Sequence, residues 1–290
     1  MSCSQARRTY EISAPAKINW FLDILDKRPD GYHNLETLMQ KISLSDKLTV
    51  SFDDELYRLE EDKLPWPDRS LKLGGKEVFF CTKTDTDDGE DLGPVQNNTV
   101  IKALDFYLKA HPTLAAVLPR YIFIHLAKEI PSQAGLGGGS SDGAALLSLM
   151  QEASLNMGQD VLDSQTLQSI ALKVGADVPF LTQEEPLALC KGVGEIISPL
   201  DPAPSLPILL IKPDIQISTA EAFRAIDRQD AQSRKQSRAE DFYEALLEED
   251  YLDLDHLGQN TFYRLSLKAH PILDEIACLL EESGALFCSM

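Results

Sequence analysis

Pro131-Ser132-Gln133-Ala134-Gly135-Leu136-Gly137-Gly138-Gly139-Ser140-Ser141-Asp142 is the stretch on which the reading of this chain turns. The run 121–127 ahead of it alternates apolar and polar residues and predicts a strand, while 140–152 behind it predicts a helix. Gly135, Gly137, Gly138 and Gly139 lack Cβ, so the backbone can take positive φ and approach a ligand closely. Ser140 or Ser141 is expected to cap the helix and can also donate to a phosphate oxygen. The first turn of a helix carries unpaired N–H groups and about half a positive charge, so the stretch reads as an anion site suited to a triphosphate. It is not a Walker A loop, since no Gly-Lys-Ser/Thr closes it. It is not a dinucleotide fingerprint either, since no acidic residue ends a second parallel strand at the required distance.

Upstream, 10–25 reads as a strand or hairpin, and Arg28-Pro29-Asp30-Gly31 carries turn chemistry. A further strand is expected over 44–52, and 53–97 reads as strand fragments joined by exposed loops, acidic over 84–91. Val100, Ile101, Leu104 and Leu108 recur at the helical period, predicting a helix over 98–110 with Asn98 as its cap. Downstream, 164–174 predicts a helix capped by Ser164, and 187–191 and 208–212 predict strands. From Thr219 onward the chain reads as mostly helical, with 227–240 a charged loop or solvated helix face. Strands early and helices late imply an α+β fold in two lobes, divided between about 185 and 205 where Pro199, Pro202, Pro204 and Pro207 cluster.

A chain of 290 residues is ample for a buried core. Its formal charge of −19 argues against nucleic acid and anionic membrane as partners. An anionic substrate stays open, because backbone N–H groups can hold phosphate within a negative global field. No apolar run is long enough to span a membrane, and the N-terminal MSCSQARRTYE carries no apolar signal core. Cys3, Cys81, Cys190, Cys278 and Cys288 are scattered, which speaks against a zinc site or disulfide framework and for a reducing, cytoplasmic setting.

Several motifs taken in order resemble the GHMP kinases. They are Ala14-Pro15-Ala16-Lys17-Ile18-Asn19, Arg28-Pro29-Asp30-Gly31-Tyr32-His33, the glycine loop, Gly175-Ala176-Asp177-Val178-Pro179-Phe180, and Gly192-Val193-Gly194-Glu195. The Asp-Gly-Tyr-His segment is most similar to the branch that phosphorylates a cytidine-diphosphate-linked methylerythritol. The resemblance implies a two-lobed fold. Its ATP-binding N-terminal lobe, 1–195, would be of the ribosomal protein S5 domain 2-like type, and its C-terminal α/β lobe, 196–290, mainly helical and truncated. It implies ATP as co-substrate, Mg²⁺ as cofactor, Asp177 as general base and Lys17 as its partner. Asn98, Pro131, Ser132, Gln133, Ala134, Gly135, Leu136, Gly137, Gly138, Gly139, Ser140 and Ser141 would bind ATP. Tyr32 and Phe223 would stack on the cytosine and His33 hydrogen-bond it, while Asn19 would bind the acceptor's hydroxyls and Thr219 line the same pocket. Each has a plainer reading: Asp177 as a cap or turn residue, Lys17 as a strand-edge charge, Tyr32 and Phe223 as core, Asn98 as a cap alone.

Gln133 replaces a residue that is small in the family, and Gly143 stands in place of an alanine, at a helix-propensity cost of about 1 kcal/mol. A second glycine-rich segment of the family, Ser-Gly-Ser-Gly, is expected where the chain stops at Ser283-Gly-Ala-Leu-Phe-Cys-Ser-Met290. Its lack implies weak or absent activity, or closure by a second copy in a homodimer. Other readings are a GHMP kinase of homoserine or mevalonate type, and a nucleotide-binding pseudo-enzyme.

Overall fold

Two long strands open the chain, β1 (Arg8–Lys27) and β2 (His33–Asp53), and they pair with each other in the computed structural model. The structure describes residues 7–55, 70–84, 94–215, 238–250, 254, 257–258 and 260–289. Between the strands the Arg28 N–H donates to the Tyr32 carbonyl at 2.7 Å, and Gly31 takes φ 90°, the positive value that the turn chemistry called for. There follow β3 (Ser70–Leu73), β4 (Lys76–Thr84), α1 (Thr99–Ala110), α2 (Pro112–Val117), β5 (Tyr121–Lys128), α3 (Gly138–Asn156), α4 (Ser164–Val174) and α5 (Val178–Leu181). Strands β6 (Leu187–Gly192) and β7 (Ile196–Pro199) and helices α6 (Ala239–Leu247), α7 (Thr261–Ala269) and α8 (Ile272–Glu282) complete the described order, an α+β mixture as expected.

The chain divides into two compact units that are interleaved in sequence. The first takes residues up to Lys17, then Lys41–Ser132 and Leu136–Glu184; the second takes Ile18–Gln40, Gln133–Gly135 and the chain from Glu185. In the first unit β2 pairs antiparallel with β5 from Lys47↔Ala127 to Asp53↔Tyr121, and β5 pairs parallel with β4. Leu48, Val50 and Phe52 alternate along β2 and are buried, as a strand with one covered face requires. Helices α1 and α3 pack together and bury Val100, Ile101, Leu104, Tyr107, Leu146, Leu149 and Met150.

In the second unit β2 pairs antiparallel with β6 from Leu35↔Gly192 to Gln40↔Leu187, and β6 pairs with β7. Its core gathers Phe21, Leu38, Leu187, Leu189, Phe242, Leu246 and Leu254. Phe242 sits between Phe21, at 6.2 Å between ring centroids, and Phe287, at 5.6 Å.

Three details differ from expectation. The cap of α4 is Asp163, whose carboxylate accepts the Thr166 N–H; Ser164 is already helical. A carboxylate outbids a hydroxyl here because it also meets the positive end of the helix. Helix α3 begins at Gly138 with Gly137 as its cap at φ 69°, so neither Ser140 nor Ser141 caps it. The run 208–212 forms no strand: Ile208, Leu209, Leu210 and Ile211 are exposed, and among the described residues no ladder partner holds them. Apolar composition favours a strand only where a neighbour supplies the hydrogen bonds.

Replacing Phe242 by Ala is expected to destabilise the second unit by about 3–5 kcal/mol, read as a lower denaturant midpoint.

Candidate functional site

The glycine loop runs from the end of β5 into α3, and most of the expected nucleotide residues lie on it. By helix geometry the N–H groups of Gly138, Gly139 and Ser140 have no acceptor within α3, and the cap Gly137 offers no side-chain acceptor. Ser141 is the first to close the helix, donating its N–H to the Gly137 carbonyl at 2.8 Å. Its hydroxyl donates to the Pro15 carbonyl at 2.7 Å, and the Lys17 N–H donates to the Leu136 carbonyl at 2.9 Å. Strand β1 is thereby laced to the loop at Pro15 and Lys17, and the helix start is left with donors and no acceptor of its own.

Lys17 and Asp177 meet beside that start. The ammonium lies 3.5 Å from the Asp177 carboxylate; the Lys17 side chain is 9% exposed and that of Asp177 33%. Both lie against the bare face of Gly137. A Cβ there would come within 2.9 Å of Lys17 Cγ and 3.5 Å of Asp177 Oδ2, and φ 69° is itself left-handed. Asp177 occupies the cap position of α5, yet its side chain makes no capping hydrogen bond, which sets aside the reading of it as a mere cap. Gly175 brings the Gly-Ala-Asp turn against the loop, because a Cβ on it would stand 3.3 Å from the Ser140 hydroxyl.

Asn98 caps α1, its side-chain oxygen accepting from the Val100 N–H at 2.9 Å, and the next residue, Thr99, donates to the Gly139 carbonyl. Pro131 and Ser132 lead into the loop within the first unit. Gln133, Ala134 and Gly135 group with the second unit; Gln133 is exposed and takes φ 56°, and Gly135 takes φ 73°. The departure at Gly143 has a packing cause. A Cβ on it would stand 2.9 Å from Val174 of α4 and 3.5 Å from Thr99 of α1, so glycine lets these helices close up.

In the second unit the Asn19 amide donates to the Thr37 hydroxyl at 2.6 Å, which donates on to the Phe21 carbonyl at 2.8 Å. Tyr32 is 66% exposed, so it is not core, and His33 beside it is half-buried. Thr219 and Phe223 lie outside the described residues.

Sequence reasoning missed a buried cluster beneath the loop. Lys128, the last residue of β5, forms ion pairs with Asp46 of β2 and with Asp142 of α3, the latter at 2.8 Å. The side chains are 10%, 0% and 4% exposed respectively. The Asp46 carboxylate also accepts the N–H groups of Glu129 and Ile130 at 2.6 and 2.8 Å. One ammonium cannot offset two buried carboxylates. Burial pulls the Lys128 pKa down, but the two acids outweigh it and the pKa is raised. The surplus falls on Asp142: burial, against the pull of Lys128 and with the push of Asp46, raises its carboxyl from 3.8 to about 7. The only hint in the sequence was an acid directly after Ser140-Ser141, at a buried helix position.

The N-terminal domain model of the GHMP kinases matches residues 98–184. A 4-diphosphocytidyl-2-C-methyl-D-erythritol kinase from Pelotomaculum thermopropionicum is 34% identical over 273 residues, 94% of this chain and 82% of that protein. One from Pelobacter propionicus is 32% identical over 288 residues, 98% of this chain and 86% of that protein. Against one from Citrifermentans bemidjiense the identity is 37% over 210 residues, and the chain spans only 62% of that relative's length. Among solved structures, a 4-(cytidine 5'-diphospho)-2C-methyl-D-erythritol kinase superposes with a TM-score of 0.60 at 28% identity, covering 92% of this chain and 81% of its own. A homoserine kinase from Cytophaga hutchinsonii shares the fold at a TM-score of 0.62 and 16% identity, covering 100% of this chain and 84% of its own. Among the described residues no helix is long and apolar enough to cross a membrane.

The sign of the Asp142 shift fixes a pH dependence. Between about pH 4 and pH 7 the unfolded chain releases this proton and the folded chain keeps it, so stability from this group falls as pH rises through that window. Asp142→Asn removes the dependence. Denaturant midpoints should show the variant more stable than the native chain at pH 8 and nearly equal to it at pH 4.

Proposed function

The chain belongs to the GHMP kinase family, and on that premise we propose that it transfers the γ-phosphoryl group of ATP to the 2-hydroxyl of 4-(cytidine 5'-diphospho)-2-C-methyl-D-erythritol. The observation that carries the chemistry is the Lys17–Asp177 pair, held 3.5 Å apart over Gly137 beside the unpaired amides of α3. An alcohol with a pKa near ~15 is a poor nucleophile, and a carboxylate in hydrogen-bond reach takes its proton as the oxygen attacks phosphorus. In this proposal Asp177 accepts that proton, the new P–O bond forms to the acceptor oxygen, and the bond from the γ-phosphorus to the β-phosphate oxygen breaks to release ADP. Lys17 offsets charge on the attacking oxygen.

Residues 131–141 would hold the triphosphate mainly through backbone N–H groups, with Ser140 and Ser141 on the first turn and Asn98 on the nucleotide side. Ser141 would contribute by fixing the turn, since its hydroxyl donates to the Pro15 carbonyl and its N–H to the Gly137 carbonyl. Among the described residues no group of three or more His, Cys, Asp or Glu side chains is arranged to hold a metal. The described residues therefore fit a Mg²⁺ ion carried on the phosphate oxygens rather than in an all-protein cage. Bound there, Mg²⁺ would neutralise charge on the β- and γ-oxygens.

The acceptor's cytidine is assigned to the second unit. Tyr32 presents an exposed ring, and stacking of a base on such a ring contributes about 1–3 kcal/mol. His33 would hydrogen-bond the base, Asn19 the methylerythritol hydroxyls, and Thr219 and Phe223 would line the same pocket. The Asn19–Thr37–Phe21 hydrogen-bond chain supports this by holding the Asn19 amide in one orientation.

Phosphorus NMR of a reaction with ATP and the cytidylyl substrate should show a new phosphomonoester on the 2-position and an equal amount of ADP, with free CDP competing against the substrate. Turnover of homoserine or mevalonate with no effect of CDP would overturn the assigned acceptor. Asp177→Asn should lower kcat by about 10²–10⁴ with the KM for ATP little changed. Unchanged kcat would remove the base role.

A further inference from the structure

The buried charges beneath the glycine loop lie outside the chemistry derived above, yet they hold both ends of it. At its entry, Asp46 accepts the N–H groups of Glu129 and Ile130. At its exit, Lys128 reaches the helix start: a Cβ on Gly138 would stand 3.4 Å from the Lys128 ammonium and 3.0 Å from the Ile130 side chain. One turn further along α3, Asp142 accepts from the same ammonium at 2.8 Å. A single lysine, at the end of the strand before the loop, is thus bonded to β2 and to the helix after the loop, beside the helix start read as the phosphate site. The second Asp142 oxygen, Oδ1, is buried and makes no hydrogen bond.

We propose that Asp46, Lys128 and Asp142 form a positioning cluster for the nucleotide loop, in which Lys128 lends positive charge to the phosphate site and Asp142 withholds part of it. The proposal rests on the reading of the loop as the ATP site. None of the three is placed against substrate, so they act through the loop and are not catalytic residues. With both acids ionised the cluster carries a net charge of −1, directly behind a site that must attract a triphosphate. With Asp142 protonated the cluster is neutral, and more of the Lys128 field reaches the helix start. The raised carboxyl pKa of Asp142, about 7, puts this change near neutral pH. The charged groups that face Asp142 are Lys128 from β5 and Asp46 from β2. Helices α1, α4 and α5 also pack on α3, and the charged residues and histidine that they and their caps carry (Lys102, Asp105, Lys109, His111, Asp163, Lys173 and Asp177) do not figure among the influences on it.

Calorimetric titration of the native chain and of Asp142→Asn with Mg²⁺-saturated ATP between about pH 6 and pH 8.5 tests this, and needs no turnover. The native Kd should weaken roughly three- to tenfold as pH rises, the size expected of one partly screened charge near a polyphosphate. Asp142→Asn should keep the tighter Kd across the range. Asp46→Asn, which removes one negative charge while keeping an oxygen for the Glu129 and Ile130 amides, should bind more tightly than the native chain at pH 8.5. It supplies the same test if the first variant does not fold. A native Kd flat in pH, or an Asp142→Asn titration that parallels the native one, overturns the proposal while leaving the ATP site standing. No heat of ATP binding by the folded native chain at any pH would overturn the ATP site itself, and the proposal with it.

Discussion

A carboxylate and an ammonium meeting over a residue with no side chain is the constraint on which the rest of this structure depends. Lys17 comes from β1 and Asp177 from the turn into α5, more than half the chain apart in sequence. They can approach beside the start of α3 only because Gly137 occupies the space between with hydrogen alone. The same glycine takes the left-handed φ that turns the loop into the helix, so one position supplies the bend, the room and the end of the loop. Phosphoryl transfer asks a protein mainly for alignment and for positive potential where negative charge gathers. In the proposed reaction a helix start with unfilled N–H groups would meet the second demand, and the pair over Gly137 the first.

Around this point the first unit is built to be stiff. Ser141 and Lys17 tie the loop to β1 through backbone acceptors, and Thr99 ties it to the start of α1. The three buried charges tie its two ends to β2, β5 and α3. Gly143 leaves out a side chain that would meet Val174 of α4 and Thr99 of α1. Each of these contacts limits motion of a segment whose glycines would otherwise give it wide freedom. The buried acid that results is costly to ionise, a penalty that an apolar residue in its place would avoid.

What could be read from the sequence was what local chemistry dictates. Asn98 is a good cap whatever packs above it, and it caps α1. Gly31 in its turn and Gly135 and Gly137 in the loop take positive φ, while Gly138 and Gly139, read with them as free to do so, are the first residues of α3 instead. The places where the reading went astray are those decided by a partner distant in sequence. The run 208–212 has a strand's composition, but composition cannot show whether a neighbouring strand is there to pair with it. Ser141 has a capping residue's chemistry, but its hydroxyl is claimed by Pro15, 126 residues away. Gly143 looked like a defect in a helix until Val174 and Thr99 were seen beside it. Asp46, Lys128 and Asp142 are ordinary charged residues in the sequence, and only the fold brings them together out of water.

A crystal structure of the chain with Mg²⁺ and a non-hydrolysable ATP analogue tests the central claim most directly. The γ-phosphate should lie within hydrogen-bond distance of the N–H groups at the start of α3, with an open path from its phosphorus to a position that the Asp177 carboxylate can reach. A nucleotide bound elsewhere, or phosphates turned away from Gly138, Gly139 and Ser140, would contradict it.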